Sequence, residues 1–265
     1  MLVHSRSARW AVWALFAVIV LPLFLLPLGV IVTASVSTNW SGVLPSGPTP
    51  DNFTDLARGT TLDSLRVSVV TAVTASVSAL VLGTWSALTA HALRHRGRAV
   101  VDALFMLPVA VPTVVLGLAL LVAFSSPPLL LNGTQAIVFV AHTVLVTAFA
   151  HQSVSAALDR LDPIYAQVAA SLGARPARVL FQVRLPLLLP SLSAAAGLCF
   201  ALSMGELSAT MMLYPPNWMP LPVQIYASTD RGALFSGAAA AIVLMATTLL
   251  VLLVLSRVRT RAAHR

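Results

Sequence analysis

The 265-residue chain contains no lysine, a single cysteine and few charged residues, which make up 9% of it. A phosphate-binding P-loop needs a lysine after its glycines, so the chain cannot hydrolyse ATP by that route. Cys199 alone can build neither a disulfide nor a thiolate metal site within the chain, and we predict that it packs in an apolar helix. The scarcity of charge, with 58% hydrophobic residues and a mean hydropathy of +0.91, excludes a soluble fold and indicates an integral membrane protein.

Six apolar segments are long enough to cross a hydrocarbon core of about 30 Å, which takes roughly 20 helical residues. Helices are favoured over a barrel because barrel strands would be about 10 residues long with alternating polarity. We therefore predict an all-α membrane protein with six transmembrane helices in a single domain, residues 1–265. The first apolar run exceeds that of a signal peptide and is retained as a helix, although residues 33–37 resemble a cleavage site. The predicted spans are 10–35, 65–90, 99–124, 136–158, 189–213 and 237–255.

Arginine side chains predict the orientation of these spans. Thirteen of the sixteen arginines fall on one side of the predicted topology. The positive-inside rule then makes both termini and residues 159–188 cytoplasmic. The net charge of +8 thus reports topology and contact with anionic lipids, and it gives little support to nucleic-acid binding. The thirteen are Arg6, Arg9, Arg94, Arg96, Arg98, Arg160, Arg175, Arg178, Arg184, Arg257, Arg259, Arg261 and Arg265, and the other three are Arg58, Arg66 and Arg231.

The outer segments are short, and we interpret them as docking surfaces. Residues 36–64 begin with a turn-rich stretch, after which residues 51–56 are predicted to start a short helix with Asp51 near its cap. The other two outer segments are 125–134 and 214–231. N-glycosylation patterns begin at three asparagines, but such short patterns often arise by chance. They are Asn39, Asn52 and Asn132.

Glu206 is a carboxylic acid well inside the fifth predicted span. Hydrocarbon solvates its charge poorly, so it either lines a polar pathway or forms a hydrogen bond that locks helices together. Gly205 beside it permits close helix approach or local unwinding, and Ser203 and Thr210 add hydroxyls. Both interpretations of Glu206 stay open.

Other polar and helix-breaking residues lie within the predicted spans. His142 and His151 are nine residues apart, or about 900° of helical rotation, so a shared metal is not expected and each should hydrogen-bond within the bundle. Pro108 and Pro112 each remove a backbone donor, so the third helix should bend or loosen. Whether that bend shapes a gate beside Thr113 stays open.

Two further patterns favour close contacts between helices. Small residues recur every four positions at Ala75, Ala79 and Gly83, and Gly237 precedes a run of alanines, so a neighbouring helix can approach at either place. Asp102 lies near the cytoplasmic end of the third span, where an arginine among residues 94–98 is within reach.

Residues 159–188 are too elaborate for a simple connection. Asp162 and Pro163 predict a helix start, Gly173 ends that helix, and Pro176 opens a second short helix that should stop near Leu185 and Pro186. Two short helices would form a compact cytoplasmic knob for a soluble partner. The alternative is an amphipathic helix lying on the lipid headgroups.

This segment resembles the EAA loop of ABC importer permeases, whose pattern is Glu-Ala-Ala, three residues, Gly, nine residues, Ile, one residue, Leu-Pro. Four residues fall on pattern positions, Val183 replaces the isoleucine, and Gln167 stands where the glutamate is expected. The resemblance implies the MetI-like fold of ABC importer permeases, with a coupling helix between helices 4 and 5 that seats in a separate ATPase subunit. The implied coupling residues are Gln167, Ala169, Gly173, Arg175, Pro176, Val183, Leu185 and Pro186.

A resemblance over most of the chain is to the permease subunits of 2-aminoethylphosphonate importers. It rests on 39–47, 122–125, 132–134, 203–210, 214–218, 221–223 and 229–232. The Met-Gly-Glu core at 204–206 is similar also in sulfate, molybdate, thiamine and iron importers, and Ser208 stands where these relatives often have glycine.

The implied mechanism is alternating access. An external binding protein delivers the solute, a second permease copy or a sister permease completes the pathway, and two partner ATPase subunits bind ATP and Mg²⁺. The implied location is the bacterial inner membrane, as a multi-pass subunit that is not itself an enzyme and holds no cofactor. The residues described above that we predict to line this pathway are Thr113, Ser203, Gly205, Glu206 and Thr210.

An ATP-independent channel or carrier and a membrane enzyme are the two alternatives to an ABC importer permease. An ATP-independent channel or ion-coupled carrier would use Glu206 as an ion site, but it has no need of a cytoplasmic docking knob. A membrane enzyme would require paired acid and base groups or a metal constellation, which the sequence does not offer. A permease for another small solute, polyamines included, remains the alternative within the importer class.

Overall fold

The computed structural model describes residues 6–58 and 60–263, so Arg265 of the topology argument lies outside the described residues. Within those ranges the chain forms helices joined by turns and short connections, and its two strands form one short hairpin. The helices are α1 (Arg6–Ser35), α2 (Asp51–Arg58), α3 (Thr61–Ala92), α4 (His95–Ala110), α5 (Thr113–Ala123), α6 (Gln135–Asp159), α7 (Ile164–Ser171), α8 (Pro176–Val179), α9 (Leu185–Met204), α10 (Ser208–Leu213), α11 (Leu221–Asp230) and α12 (Leu234–Ala263). The strands are β1 (Ser37–Asn39) and β2 (Ser46–Pro48), and a π-helical turn spans Leu180–Arg184.

Five helical stretches of the described chain are long and apolar enough to cross a membrane, and a sixth is added if α4 and α5 count as one broken span. The five stretches lie in α1, α3, α6, α12 and the continuous helix Pro176–Met204. This agrees with the predicted all-α membrane class. Each predicted span from the first to the fourth falls on one of these helices or on the α4–α5 pair, within a few residues at either end.

By packing, the described chain divides into two compact units. One unit holds the residues up to Leu62 together with Gln224–Val243. The other holds Asp63–Val223 and the residues from Leu244 onward. The treatment of 1–265 as a single functional domain stays a prediction.

In the first unit, the strands β1 and β2 pair antiparallel, with Ser37 opposite Pro48 and Asn39 opposite Ser46. The side chain of Asn52, at the start of α2, donates hydrogen bonds to the carbonyl oxygens of Ser35 and Ser37 at 3.0 and 2.9 Å. Helix α2, which begins at Asp51, confirms the predicted short helix at 51–56. The hairpin was not predicted, because strands of three residues are too short to show an alternating pattern.

The second unit is built around α6, the most buried of its long helices. The small side chains of Ala75 and Ala79 on α3 lie against Val146 and Ala150 of α6 and against Cys199 of α9. Cys199 is fully buried there, as predicted, and its thiol donates to the carbonyl oxygen of Val146 at 3.4 Å. The predicted stripe of small residues on α3 thus lies at a close helix contact.

The third predicted span breaks rather than bends. Helices α4 and α5 meet at 101°. Val111 between them is extended, with φ −99° and ψ 133°, because the ring of Pro112 disfavours a helical residue before it. Pro108, by contrast, is accommodated inside α4. The predicted distortion beside Pro112 is confirmed, and it amounts to a break between two helices.

The fifth predicted span, residues 189–213, is also interrupted. Helix α9 ends at Met204, Gly205 leaves the helical region with φ −94° and ψ 0°, and α10 begins at Ser208. The Glu206 side chain stabilises this break because its Oε1 accepts the backbone N–H of Ala209 at 2.8 Å. We call residues 205–207 the Glu206 turn.

The predicted stop near Leu185 and Pro186 is wrong, because the helix that opens at Pro176 runs on to Met204. The π-helical turn ends at Arg184, two residues before Pro186. The backbone N–H of Leu185 bonds the carbonyl oxygen of Leu180, five residues back. A π-turn is wider than an α-turn, so it can receive a proline that lacks a donor without ending the helix.

Gly83 on α3 provides a test of the contact with α6. A Cβ at this position would lie 2.7 Å from the backbone nitrogen of His151 and 2.7 Å from the Cβ of Ala150. We expect Gly83→Leu to lower the midpoint of thermal unfolding in detergent, since overpacking costs about 1–3 kcal/mol. Gly29→Leu is the control, because no atom lies within 4 Å of a Cβ there. An equal loss in both variants would contradict the close contact.

Candidate coupling and translocation site

The first helix of the 159–188 loop begins as predicted. The side chain of Asp162 accepts the backbone N–H of Ile164 at 2.9 Å, which is a capping bond, and Pro163 already has helical dihedral angles. Helix α7 follows from Ile164 to Ser171. The local sequence therefore determines where this helix starts.

Gly173 ends α7 in a Schellman motif. Its φ is +81°, its N–H bonds the carbonyl oxygen of Ala170 at 3.0 Å, and the N–H of Ala174 bonds that of Ala169 at 3.0 Å. Arg175 is extended and Pro176 starts α8, so the chain reverses over three residues and α7 lies against α8. The predicted compact pair of helices is confirmed for α7 and the first turn after Pro176.

Helix α7 exposes an apolar face. Ile164, Val168 and Leu172 recur every four residues, and all three are exposed, Leu172 by 83%. Tyr165 beside them is half exposed. Single exposed apolar residues are ordinary, but a contiguous stripe marks a surface that another molecule covers. The predicted coupling residues are distributed around this stripe. Gln167, Gly173, Arg175, Pro176 and Pro186 are exposed, and Ala169, Val183 and Leu185 are half-buried.

The Glu206 turn faces a cavity of about 190 Å³ between the start of α5, the middle of α6 and the end of α9. Thr113, His142, Ser203 and Glu206 are its polar lining, and the remaining lining residues are apolar. Glu206 thus fits both interpretations that the sequence left open. Its Oε1 caps α10, and the residue is also part of the cavity lining.

His142 joins the two helices on either side of the Glu206 turn. Its Nδ1 lies 2.7 Å from the Oγ of Ser203 on α9, and its Nε2 lies 2.8 Å from the Oγ1 of Thr210 on α10. All three residues are buried. The Thr210 hydroxyl donates to the carbonyl oxygen of Glu206 at 3.3 Å, so its oxygen accepts the Nε2–H and the Ser203 hydroxyl donates to Nδ1. The predicted hydrogen bonding of His142 is confirmed.

Of the predicted pathway residues, the structure brings Thr113, Ser203 and Glu206 to the cavity. Thr210 is fully buried behind them, and Gly205 ends α9. Helices α5 and α10 pack closely, because a Cβ on Gly117 would lie 2.9 Å from the Cα of Ala209. The second halves of both broken spans are therefore in contact beside the cavity.

A row of polar contacts joins α4 to α6, and only the contacts of Asp102 and His151 were predicted from the sequence. Asp102 Oδ1 accepts from His151 Nε2 at 2.9 Å, and Arg98 Nη2 donates to the Oγ of Ser155 at 3.4 Å and to Asp159 Oδ2 at 2.8 Å. We call these five residues the α4–α6 seam.

The predicted partner of Asp102 is confirmed, because Arg98 Nε lies 3.6 Å from its Oδ2. So is the hydrogen bonding of His151, whose Nδ1 also lies 2.7 Å from the Oγ of Ser86. The missed signal was spacing. Asp159 lies eight residues after His151, so the two share a helix face, just as Arg98 and Asp102 do on α4.

Comparison with known proteins gives the family. Residues 79–263 match the family described as "Binding-protein-dependent transport system inner membrane component". The chain is 43% identical over 265 residues, the full length of both proteins, to the "Putative 2-aminoethylphosphonate transport system permease protein PhnV" of Salmonella typhimurium.

Two solved structures share the fold. One is a chain of a bacterial alginate ABC transporter in complex with an alginate pentasaccharide-bound periplasmic protein, with a TM-score of 0.76 and 17% identity over 96% of each chain. The other is a chain of the MetNI methionine ABC transporter in an inward-facing form, with a TM-score of 0.62 and 19% identity over 81% of this chain and 99% of that one. The chain accordingly belongs to the binding-protein-dependent transport system inner membrane component family, and it is the multi-pass permease subunit of an ABC importer.

Proposed function

We propose that this permease imports 2-aminoethylphosphonate or a closely related phosphonate. The observation that carries the proposal is the identity of 43% to the Salmonella relative over the whole of both chains. Because that similarity includes the outer segments as well as the helices, it extends to the surfaces that a solute-loaded binding protein would contact. Sulfate, molybdate, thiamine, iron and polyamines are the alternative solutes.

An ABC importer permease works with an external binding protein and with ATPase subunits, and it is not itself an enzyme. In our proposal the ATP and Mg²⁺ are bound by two partner ATPase subunits, and this chain holds no cofactor. A second copy of the chain or a sister permease supplies the other half of the pathway. The arginine distribution supports cytoplasmic termini and a cytoplasmic loop at 159–188.

The loop at 159–188 is proposed to be the coupling element. Its first helix has a rigid start at Asp162, a fixed reversal at Gly173 and an exposed apolar face between them. A short rigid helix of this kind can seat in a cleft of an ATPase subunit and transmit displacement. An amphipathic helix lying flat on lipid would not need the tight reversal onto α8.

The cavity at the Glu206 turn is proposed to be part of the translocation pathway. Its lining includes one carboxyl group, an imidazole and two hydroxyls, and no arginine is among the lining residues that the structure describes. Such a lining offers few strong contacts to a phosphonate dianion. Weak binding suits a passage in which the external binding protein selects the solute.

Transport of labelled solute in proteoliposomes tests the proposed function. The chain is reconstituted with its partner ATPase and binding protein, and uptake of radiolabelled 2-aminoethylphosphonate is measured with and without ATP on the side of the ATPase subunits. We expect ATP-dependent uptake that unlabelled phosphonates inhibit and that sulfate, molybdate, thiamine, ferric iron and putrescine do not. Inhibition by one of those solutes instead would replace the proposed substrate, and uptake without ATP or binding protein would favour a channel or carrier.

Substitution of Gly173 tests the coupling loop. Gly173 has a φ of +81°, which proline cannot adopt because its ring fixes φ near about −65°. We expect Gly173→Pro to assemble in the membrane yet lose ATP hydrolysis that is stimulated by the loaded binding protein. Gly173→Asn is the matched control, since asparagine tolerates a positive φ and should keep most of the stimulation. Full stimulation in Gly173→Pro would exclude the coupling role.

Two substitutions of Glu206 separate its two roles. Glu206→Gln keeps an oxygen that can cap α10, whereas Glu206→Ala removes it, which lowers stability by about 1 kcal/mol when a cap is lost. If the carboxyl group serves the pathway, Glu206→Gln should change the rate of uptake while the thermal unfolding midpoint stays at the wild-type value. Only Glu206→Ala should lower that midpoint. Wild-type uptake in Glu206→Gln would make the residue structural.

A further inference from the structure

The attachment of α4 to the rest of its unit is unusual because none of the α4 side chains is fully buried. The helix is joined to α6 through the polar contacts of the α4–α6 seam, and Phe105 adds a stacked contact with the His151 ring, their centroids 5.0 Å apart. A cavity of about 250 Å³ runs along the seam and is lined by Asp102, His151, Ser155 and Asp159 among others. Polar contacts beside a cavity can exchange partners more readily than interlocked apolar side chains.

Arg98 has two carboxylate partners, one on each helix. Its Nη2 donates to Asp159 Oδ2 on α6 at 2.8 Å, while its Nε lies 3.6 Å from Asp102 Oδ2 one turn along α4. If α4 moves away from Asp159, the guanidinium keeps Asp102 as an ion-pair partner on its own helix. Release of the contact between the helices therefore leaves no unpaired arginine. Asp159 likewise keeps His91 of α3, whose Nε2 lies 3.0 Å from its Oδ1.

The contact between Arg98 and Asp159 lies between the 159–188 loop and the cavity at the Glu206 turn. Asp159 is both the last residue of α6 and the first residue of the 159–188 loop. Helix α4 is followed by α5 at its C-terminal end. Helix α5 packs through Gly117 on Ala209 of α10, which begins directly after the Glu206 turn. Contiguous contacts thus connect the loop to the cavity.

We propose that Arg98 and Asp159 are positioning residues that form a releasable latch between the start of the coupling loop and α4. In the latched state Arg98 holds α4 to α6. When the ATPase subunits displace the loop, Arg98 moves from Asp159 to Asp102, and α4 carries α5 and α10 with it. This inference rests on the proposed coupling role of the loop. In this proposal Arg98 alternates between two discrete arrangements, with and without Asp159, as a mechanical connection between two distant sites requires.

A distance measurement tests the latch without any solute. Spin labels are placed at the exposed positions Val100 and Arg160 in a Cys199→Ser background, and their separation is measured in the permease–ATPase complex without nucleotide and with a non-hydrolysable ATP analogue and Mg²⁺. In the otherwise wild-type protein we expect the separation to change with nucleotide. Asp159→Asn should give a separation that no longer changes with nucleotide, because the ion pair between α4 and the start of the 159–188 loop is lost.

Charge exchange supplies the decisive comparison. The double variant Arg98→Asp with Asp159→Arg should restore the nucleotide-dependent separation that either single variant loses. Arg96→Gln, on an exposed residue of the same helix, is the matched control and should behave as the wild type. If the exchanged pair does not assemble, Arg98→Lys should keep the response and Arg98→Gln should lose it. A normal response in Asp159→Asn, or no restoration in the variants that retain an opposite charge, would overturn the latch.

A second readout measures coupling directly. Asp159→Asn should lower the amount of 2-aminoethylphosphonate taken up per ATP hydrolysed by about fivefold or more, the lower end of typical coupling between sites. Unchanged stoichiometry in a transporting Asp159→Asn variant would count against the latch. Failure of the wild type to transport this solute would count against the proposed substrate, and the distance measurement would still decide the latch.

Discussion

The need of buried polar groups for hydrogen-bond partners is the constraint on which the second unit depends. Helix α6 carries His142 and His151, both buried, and each of them binds a side chain of another helix. An unpaired polar group in this environment would cost a few kcal/mol, so these contacts fix which helices are neighbours as strongly as apolar packing does. The broken spans can persist because α6 holds both sides of each break.

The two breaks have different local causes and a common consequence. Pro112 forces Val111 out of the helix, whereas Gly205 and the capping side chain of Glu206 end α9 and restart the chain at α10. Each break frees a short helix, α5 or α10, and the two short helices pack on each other. A cavity forms where continuous helices would have filled the space. The proposed pathway thus lies where helical regularity fails, as is common at transport sites in membranes.

Sequence patterns predicted the helices of this protein well because the bilayer restricts the possible structures. Length and hydropathy predicted the membrane helices, and Asp162 with Gly173 predicted the limits of the first helix in the 159–188 loop, since these signals act over a few neighbouring residues. The continuation of the helix through Pro186 was missed, because a π-turn depends on hydrogen bonding that no single residue reveals. The hairpin at Ser37–Pro48 was missed for lack of a repeating pattern.

By itself the sequence determined the class of protein, the positions of its long helices and the likeness of residues 167–186 to an ATPase-coupling loop. Composition and short-range spacing suffice for these properties. Only the tertiary structure decided that His142 bridges the Glu206 turn and that Arg98 reaches Asp159, because both contacts join residues about sixty positions apart in the chain. Their geometry depends on how helices pack, and a spacing pattern on one helix does not specify the helix that will face it.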